Sequence, residues 1–186
     1  CNNHRIVNNN SQKSAIVSYE DGTVIKNCVL DGKDKASYGV RLVDTRRGEI
    51  IDNELNGFRT GVFIQDSSHL NVIENNNLKD NFDGIFIQNS ENNTFINNVF
   101  EKSERYAINN IKSGNQIYNG NLACDSEIDD FYCSLSINML GENNKFNKIE
   151  DCESGQGFPV LKKNYEKCEE SFVSITSNII KGWFGF

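Results

Sequence analysis

Ile51-Asp52-Asn53-Glu54-Leu55, then Ile73-Glu74-Asn75 with Leu78, Phe95-Ile96-Asn97 with Phe100, and Ile117-Tyr118-Asn119 with Leu122 repeat one phrase between Glu49 and Asn119. The opening apolar residue falls at 51, 73, 95 and 117, a constant step of 22. A repeat of that length is the signature of a solenoid. Between these phrases runs a second one, Gly39-Val40-Arg41-Leu42, Gly61-Val62-Phe63-Ile64 and Gly84-Ile85-Phe86-Ile87, whose apolar residues alternate with period two. Alternation marks short strands, not helices. The fold class is therefore all-β, a single-stranded parallel β-helix of about five to seven coils, each strand pairing with its equivalent one coil on.

The rest of the chain is read outward from those coils. No linker or composition break divides the 186 residues, so residues 1–186 are expected to form one domain. Within it, residues 1–22 read as an incomplete first coil. Residues 23–150 read as regular coils, with a cysteine-bounded loop at 124–133. Residues 151–186 read as an irregular, disulfide-stapled C-terminal cap or tail. One coil runs long, at 26 residues, because of a polar excursion around Gly32-Lys33-Asp34-Lys35. Insertions in a solenoid go to its surface.

Asn27, Asn53, Asn75, Asn97 and Asn119 fall at one turn position and read as an asparagine ladder. Asn tolerates the left-handed backbone a sharp corner needs, and its amide can donate and accept between stacked copies. A 37% apolar content and mean hydropathy of -0.55 suit a narrow core lined by one side of each strand. The net charge of -7 argues against nucleic acid or an anionic membrane as partner. Cys1, Cys28, Cys124, Cys133, Cys152 and Cys168 form an even set without zinc-ligand spacing. They are expected to be paired in an oxidising compartment, Cys1 near Cys28, Cys124 with Cys133, and Cys152 with Cys168. No run is long and apolar enough to span a membrane, and an extracellular or cell-surface location is expected.

Through Asn71-Val-Ile-Glu-Asn-Asn and Asn93-Thr-Phe-Ile-Asn-Asn the chain resembles the right-handed parallel β-helix repeat proteins of the pectin-lyase-like superfamily. Within that group it is most similar to the NosD-type and archaeal secreted surface repeats. The resemblance covers about residues 23 to 150 and implies a right-handed coil. It implies no particular activity. Many members of that superfamily act on polysaccharides, so the resemblance makes a catalytic set an expectation to weigh against the residues. Neither His4 nor His69 is flanked by the glycines of the polygalacturonase-like motif. A pectate-lyase-like calcium site needs stacked acids, and the outward column reads Lys26, Asp52, Glu74, Ile96, Tyr118, with two adjacent acids. Asp125, Glu127 and Asp129 imitate the start of a calcium-binding loop, but Asp130 stands where glycine is needed and Ser136 where the bidentate glutamate belongs. A solvated acidic loop is favoured, with calcium as the one cofactor left open. Copper, implied by the NosD-type resemblance, lacks its soft or imidazole ligand set.

Two sequons begin at Asn9 and Asn92, but 29 Asn and 21 Ser plus Thr make about three expected by chance. Strand alternation puts Arg41, Phe63 and Phe86 outside in one line on successive coils. This is the candidate binding row, for a polysaccharide or for assembly. The expected function is a non-catalytic extracellular structural or adhesive β-helix, self-associating end to end through open coil edges or the apolar segment Ile179 to Phe186. The alternative is a polysaccharide-active enzyme or carbohydrate-binding module.

Overall fold

Three-residue strands with one apolar residue in the middle build the first wall of the molecule. In Val24–Lys26, Glu49–Ile51, Val72–Glu74, Thr94–Ile96 and Ile117–Asn119 the central side chains are Ile25, Ile50, Ile73, Phe95 and Tyr118. All five are buried, while their flanking residues point out. With Leu140–Glu142 these strands make a six-stranded parallel sheet, each paired with its equivalent one coil away. The computed structural model describes residues 1–150 together with 165, 166 and 168.

The second wall continues the logic with Leu30, Leu55, Leu78, Phe100, Ala123 and Phe146 stacked inward in register. The third wall is formed by Ser14–Ser18, the C-terminal halves of Val29–Val43 and Glu54–Gln65, then Asp83–Gln88, Tyr106–Ile111 and Asp129–Ser134. It buries Val40, Val62, Ile85, Ile108 and Phe131 in one column. Isolated bridges through Arg46, His69, Glu91, Gly114 and Ile137 then lead each coil back to the first wall. The result is an all-β parallel solenoid with a thin continuous core. The glycine of the second phrase has a steric cause: a Cβ on Gly61 would lie 2.7 Å from the Gly84 carbonyl oxygen, and one on Gly84 2.5 Å from that of Ala107.

The corner amides show where the period was misplaced. Cys28 N donates to Asn53 Oδ1, Asn53 N to Asn76, Asn76 N to Asn98, Asn98 N to Asn121 and Asn121 N to Asn144, at separations of 25, 23, 22, 23 and 23 residues. The side-chain amides repeat the ladder, with Asn76 Nδ2 donating both to Asn98 Oδ1 at 3.0 Å and to the Ile50 carbonyl at 2.8 Å. The ladder is therefore Asn53, Asn76, Asn98, Asn121 and Asn144. Of the expected members only Asn53 belongs to it. Asn27, Asn75 and Asn97 are the residues just before it, exposed, with φ of 54°, 54° and 51°. Asn119 precedes the corner glycine Gly120, whose φ is +65°. Adjacent asparagines divide two tasks: the first turns the chain through the left-handed region, and the second enters the wall. A constant step of 22 also sets Ile51 one residue late and Ile117 one residue early, since the register aligns Ile50, Ile73, Phe95 and Tyr118 inward.

A second amide ladder stands at the entry to the first wall. Gly48 N donates to Asn71 Oδ1, Asn71 N to Asn93 Oδ1 and Asn93 N to Gln116 Oε1. Hydroxyls serve the corner before it: Thr45 N donates to Ser68 Oγ, Ser90 N to Ser113 Oγ and Ser113 N to Ser136 Oγ. Each sharp bend thus satisfies its backbone from the neighbouring coil.

The cysteines correct a further expectation. Cys1 bonds to Cys28, Cα atoms 6.4 Å apart, but Cys124 bonds to Cys168 and not to Cys133. Cys133 is itself disulfide-bonded, and Cys152 lies outside the described residues. The 124–133 segment is no protruding loop, because Asp129–Ser134 is the third-wall strand of its coil and turns Phe131 and Cys133 inward. Its bend is held by the buried Asp130 carboxylate, which accepts from the backbone N–H groups of Ser126, Asn147 and Lys148. Three backbone donors on one carboxylate anchor the segment without a bridge from Cys124 to Cys133.

Candidate functional site

The outer side of the third wall carries the densest side-chain order on the surface. Arg41, Phe63 and Phe86 do occupy one column, Arg41 paired with Phe63 and Phe63 with Phe86. The phenylalanine rings stack at 4.8 Å with 10° between planes, and Tyr38, from the neighbouring outward column, stacks on Phe63 at 5.1 Å. The Arg41 guanidinium lies 5.6 Å from the Tyr38 centroid and 5.9 Å from that of Phe63, and its Nε donates to Gln65 Oε1 at 3.1 Å. Phe63 is only 6% exposed, because ring faces point along the coil axis and are spent on one another. Solvent meets mainly ring edges. A sugar-stacking platform needs open faces.

From the Phe86 strand onward the same surface changes character. Asp83, 1% exposed, is gripped by Arg105, whose Nε donates to Oδ1 at 2.8 Å and whose Nη2 donates to Oδ2. That bidentate bond raises the Arg105 pKa above its ordinary value, against the opposing effect of burial. The guanidinium also lies over Phe82 at 4.8 Å and Tyr106 at 4.9 Å. Tyr106 stacks on Tyr132 at 4.6 Å, and burial pushes its hydroxyl pKa up. Asn109 continues the Arg41 column, its Nδ2 3.5 Å from Asp83 Oδ2 and its Oδ1 buried with no partner among the described residues. A buried carboxylate held this way is engaged through both oxygens by the Arg105 fork. The sequence reading missed this cluster, although extending the second phrase one residue ahead of its glycine gives the column Tyr38, Thr60, Asp83.

The remaining candidates disperse. Asp125 Oδ1 accepts from the Lys102 backbone N–H, Glu127 is exposed, and Asp129 sits on the strand with its pKa raised by burial. Among the described residues no three His, Cys, Asp or Glu side chains converge as a metal site requires. The supposed acid stack is also out of register. Glu74 stands between Ile51 and Ile96, while Asp52 is at the corner with φ of 56° and pairs with Lys26 at 3.6 Å. Tyr118, expected outside, is wholly buried, and burial drives its hydroxyl pKa well above the usual value. Asn9 and Asn92 are both exposed, outside the strands. The segment Ile179 to Phe186 lies outside the described residues.

No helix among the described residues is long and apolar enough to cross a membrane. No curated protein matches the chain in sequence. Among solved structures it is similar to QnrB1, a plasmid-mediated fluoroquinolone resistance protein, at 12% identity over 96% of this chain and 97% of that one, with a TM-score of 0.27. A likeness at that score carries no argument about function. The family model described as "Right handed beta helix region" matches residues 1–123 and, in a second overlapping match, 38–184. Together with the stacked parallel walls this is decisive: the chain belongs to the right-handed β-helix family.

Proposed function

We propose that this protein is a non-catalytic structural or adhesive β-helix of the cell surface, able to join end to end. The observation that carries the reading is the commitment of its outer chemistry to neighbouring coils: aromatic faces stack on each other, Arg41 on its row, and Asp83 on Arg105. Disulfides at Cys1–Cys28 and Cys124–Cys168 suit an oxidising exterior. End-to-end joining rests on the first coil. Arg5–Asn8 and Ser14–Ser18 have no strand on their outer side among the described residues, and Ile6, Ala15 and Ile16 are only partly covered. Parallel edges of this kind recruit strands.

The alternative, polysaccharide binding or cleavage along the Arg41, Phe63, Phe86 row, draws on the ring edges beside Gln65 and Gln88. It is weakened by the stacking of Tyr38, Phe63 and Phe86, which takes up both faces of Phe63. Incubation with acidic polysaccharides, with and without calcium, is the test. The expected result is unchanged polymer in both. Unsaturated or shortened products would overturn the structural reading.

A further inference from the structure

One side of the solenoid changes chemistry in its last described coil. The left-handed corner after the third wall reads Asp44, Asp66, Asn89, Lys112 and Leu135 from coil to coil, with φ of 51°, 55°, 50°, 51° and 52°. The bridge column that follows reads Arg46, His69, Glu91, Gly114 and Ile137. Both columns are polar or glycine until the last coil, where they turn apolar beside Leu140 and its register partner Ile117. Leu135, Ile137 and Leu140 stand 56%, 45% and 49% exposed. Leu135 is unfavourable twice over, because its Cβ crowds the backbone at positive φ and its side chain is left in water. A bulky aliphatic residue kept in such a place points to a use. Leu70 shares the conformation, at φ of 58°, but the corner and bridge of its own coil, Asp66 and His69, are polar.

A strongly apolar stretch of the same chain, outside the described residues, is tethered within reach. Cys168 is bonded to Cys124, and its backbone N–H donates to Asn147 Oδ1 at 3.2 Å. Leu140 precedes Asn147 by seven residues, so the two lie within about 25 Å of each other. Ile179 follows Cys168 by eleven residues, a reach of up to about 40 Å. Between Phe172 and Phe186 the one charged side chain is Lys181, while Ile179-Ile180 and Trp183-Phe184 are adjacent apolar pairs. Side chains of that kind gain by leaving water.

We infer that the stretch from Phe172 to Phe186 docks on its own chain, over Leu135, Ile137 and Leu140. A short tether holds it there at about millimolar effective concentration, which a second copy in dilute solution does not match. Docking gives Leu135 the apolar neighbours that its corner otherwise lacks. The contact uses the side of the coil and leaves the backbone edges of the strands alone, so it stands or falls separately from end-to-end joining.

Trp183 is the one tryptophan of the chain, so its emission reports the contact directly. In the full chain that emission is expected to be blue-shifted, shielded from iodide and unchanged on dilution. Leu135→Asn, Ile137→Glu and Leu140→Glu each shift it to the red and open it to the quencher, while unchanged circular dichroism verifies the fold. Leu135→Asn supplies the residue type found at Asn89 in the same corner column, so it relieves strain even as it releases the stretch. Leu70→Asn relieves the same strain elsewhere and leaves the emission as it was. An emission equal to that of the urea-unfolded chain overturns the proposal. So does a blue-shifted emission that is indifferent to the three changes, or equally sensitive to Leu70→Asn. A blue shift that fades on dilution overturns it too, and assigns the stretch to a second copy.

Discussion

The asparagine ladder inside the first corner and the aromatic row outside the third wall are both one-dimensional stacks on the same rise, yet they vary in opposite ways. Inside, Asn53, Asn76, Asn98, Asn121 and Asn144 repeat one residue because each amide is donor to the next coil and acceptor from the one before. Outside, the column runs Arg41, Phe63, Phe86, Asn109, Tyr132. A buried amide with an altered neighbour has nowhere else to bond, whereas a stacked ring needs no hydrogen-bond partner and tolerates a change of neighbour. Uniformity therefore marks the stack bonded from coil to coil, and variation the stack held by side-chain packing.

That contrast can be broken from the inside with the largest effect. Replacing Asn76 by Leu removes the acceptor of the Asn53 backbone N–H and of one Asn53 Nδ2 hydrogen, and the donor to the Ile50 carbonyl, while Asn53 Nδ2 keeps the Ile25 carbonyl and Asn98 Oδ1 keeps the Asn76 N–H. At about 1–3 kcal/mol for each orphaned group, the variant is expected to lose most of the stability of an ordinary domain. Chemical denaturation followed by circular dichroism measures it. Phe63→Ala, from the centre of the outer row, comes next, with an expected loss of about 3 kcal/mol. A loss as large as that of Asn76→Leu would erase the distinction between the stacks.

Tyr118→Phe runs the other way. Its hydroxyl is buried with no partner among the described residues, while its ring stacks on Phe95 at 4.8 Å and meets Phe131 edge-on. Removing the oxygen is expected to stabilise by about 1 kcal/mol. Because burial raises the folded pKa, the unfolded chain releases its proton first as pH rises. Stability from the neutral hydroxyl is thus full below about pH 10 and falls above it, and Tyr118→Phe should flatten that alkaline decline in thermal melts. The smallest effect is expected at Glu74→Ala, within about 0.5 kcal/mol, since its side chain points out one residue from the corner.

The strand pattern was legible because apolar alternation is imposed by the core itself. The ladder register was not, because Asn75-Asn76 and Asn97-Asn98 offer two identical residues for two different tasks. Only hydrogen-bond partners tell them apart. A coil step that changes among 25, 23 and 22 hides the same information, since a constant step fits several registers nearly equally well. The Arg41, Phe63, Phe86 column followed from period two, but its buried ring faces depended on rotamers that alternation does not determine. Asp83 and Arg105 were missed because they come from successive coils, 22 residues apart in sequence, and no local motif joins them. Cys124 likewise reaches Cys168, and nearness along the chain was a poor guide in a fold where neighbours are a coil apart.

The two terminal disulfides also decide how the molecule answers a pull. A solenoid tugged at its ends peels like a zip, losing one coil at a time at modest force, because the bonds between coils are loaded in sequence. Here tension entering at Cys1 passes directly to Cys28, and tension arriving at Cys168 passes directly to Cys124. The chain between the cysteines of each pair is thereby bypassed, and the load falls on the asparagine-laddered middle. Under reducing conditions the first coil would give way before that middle, lengthening the tether.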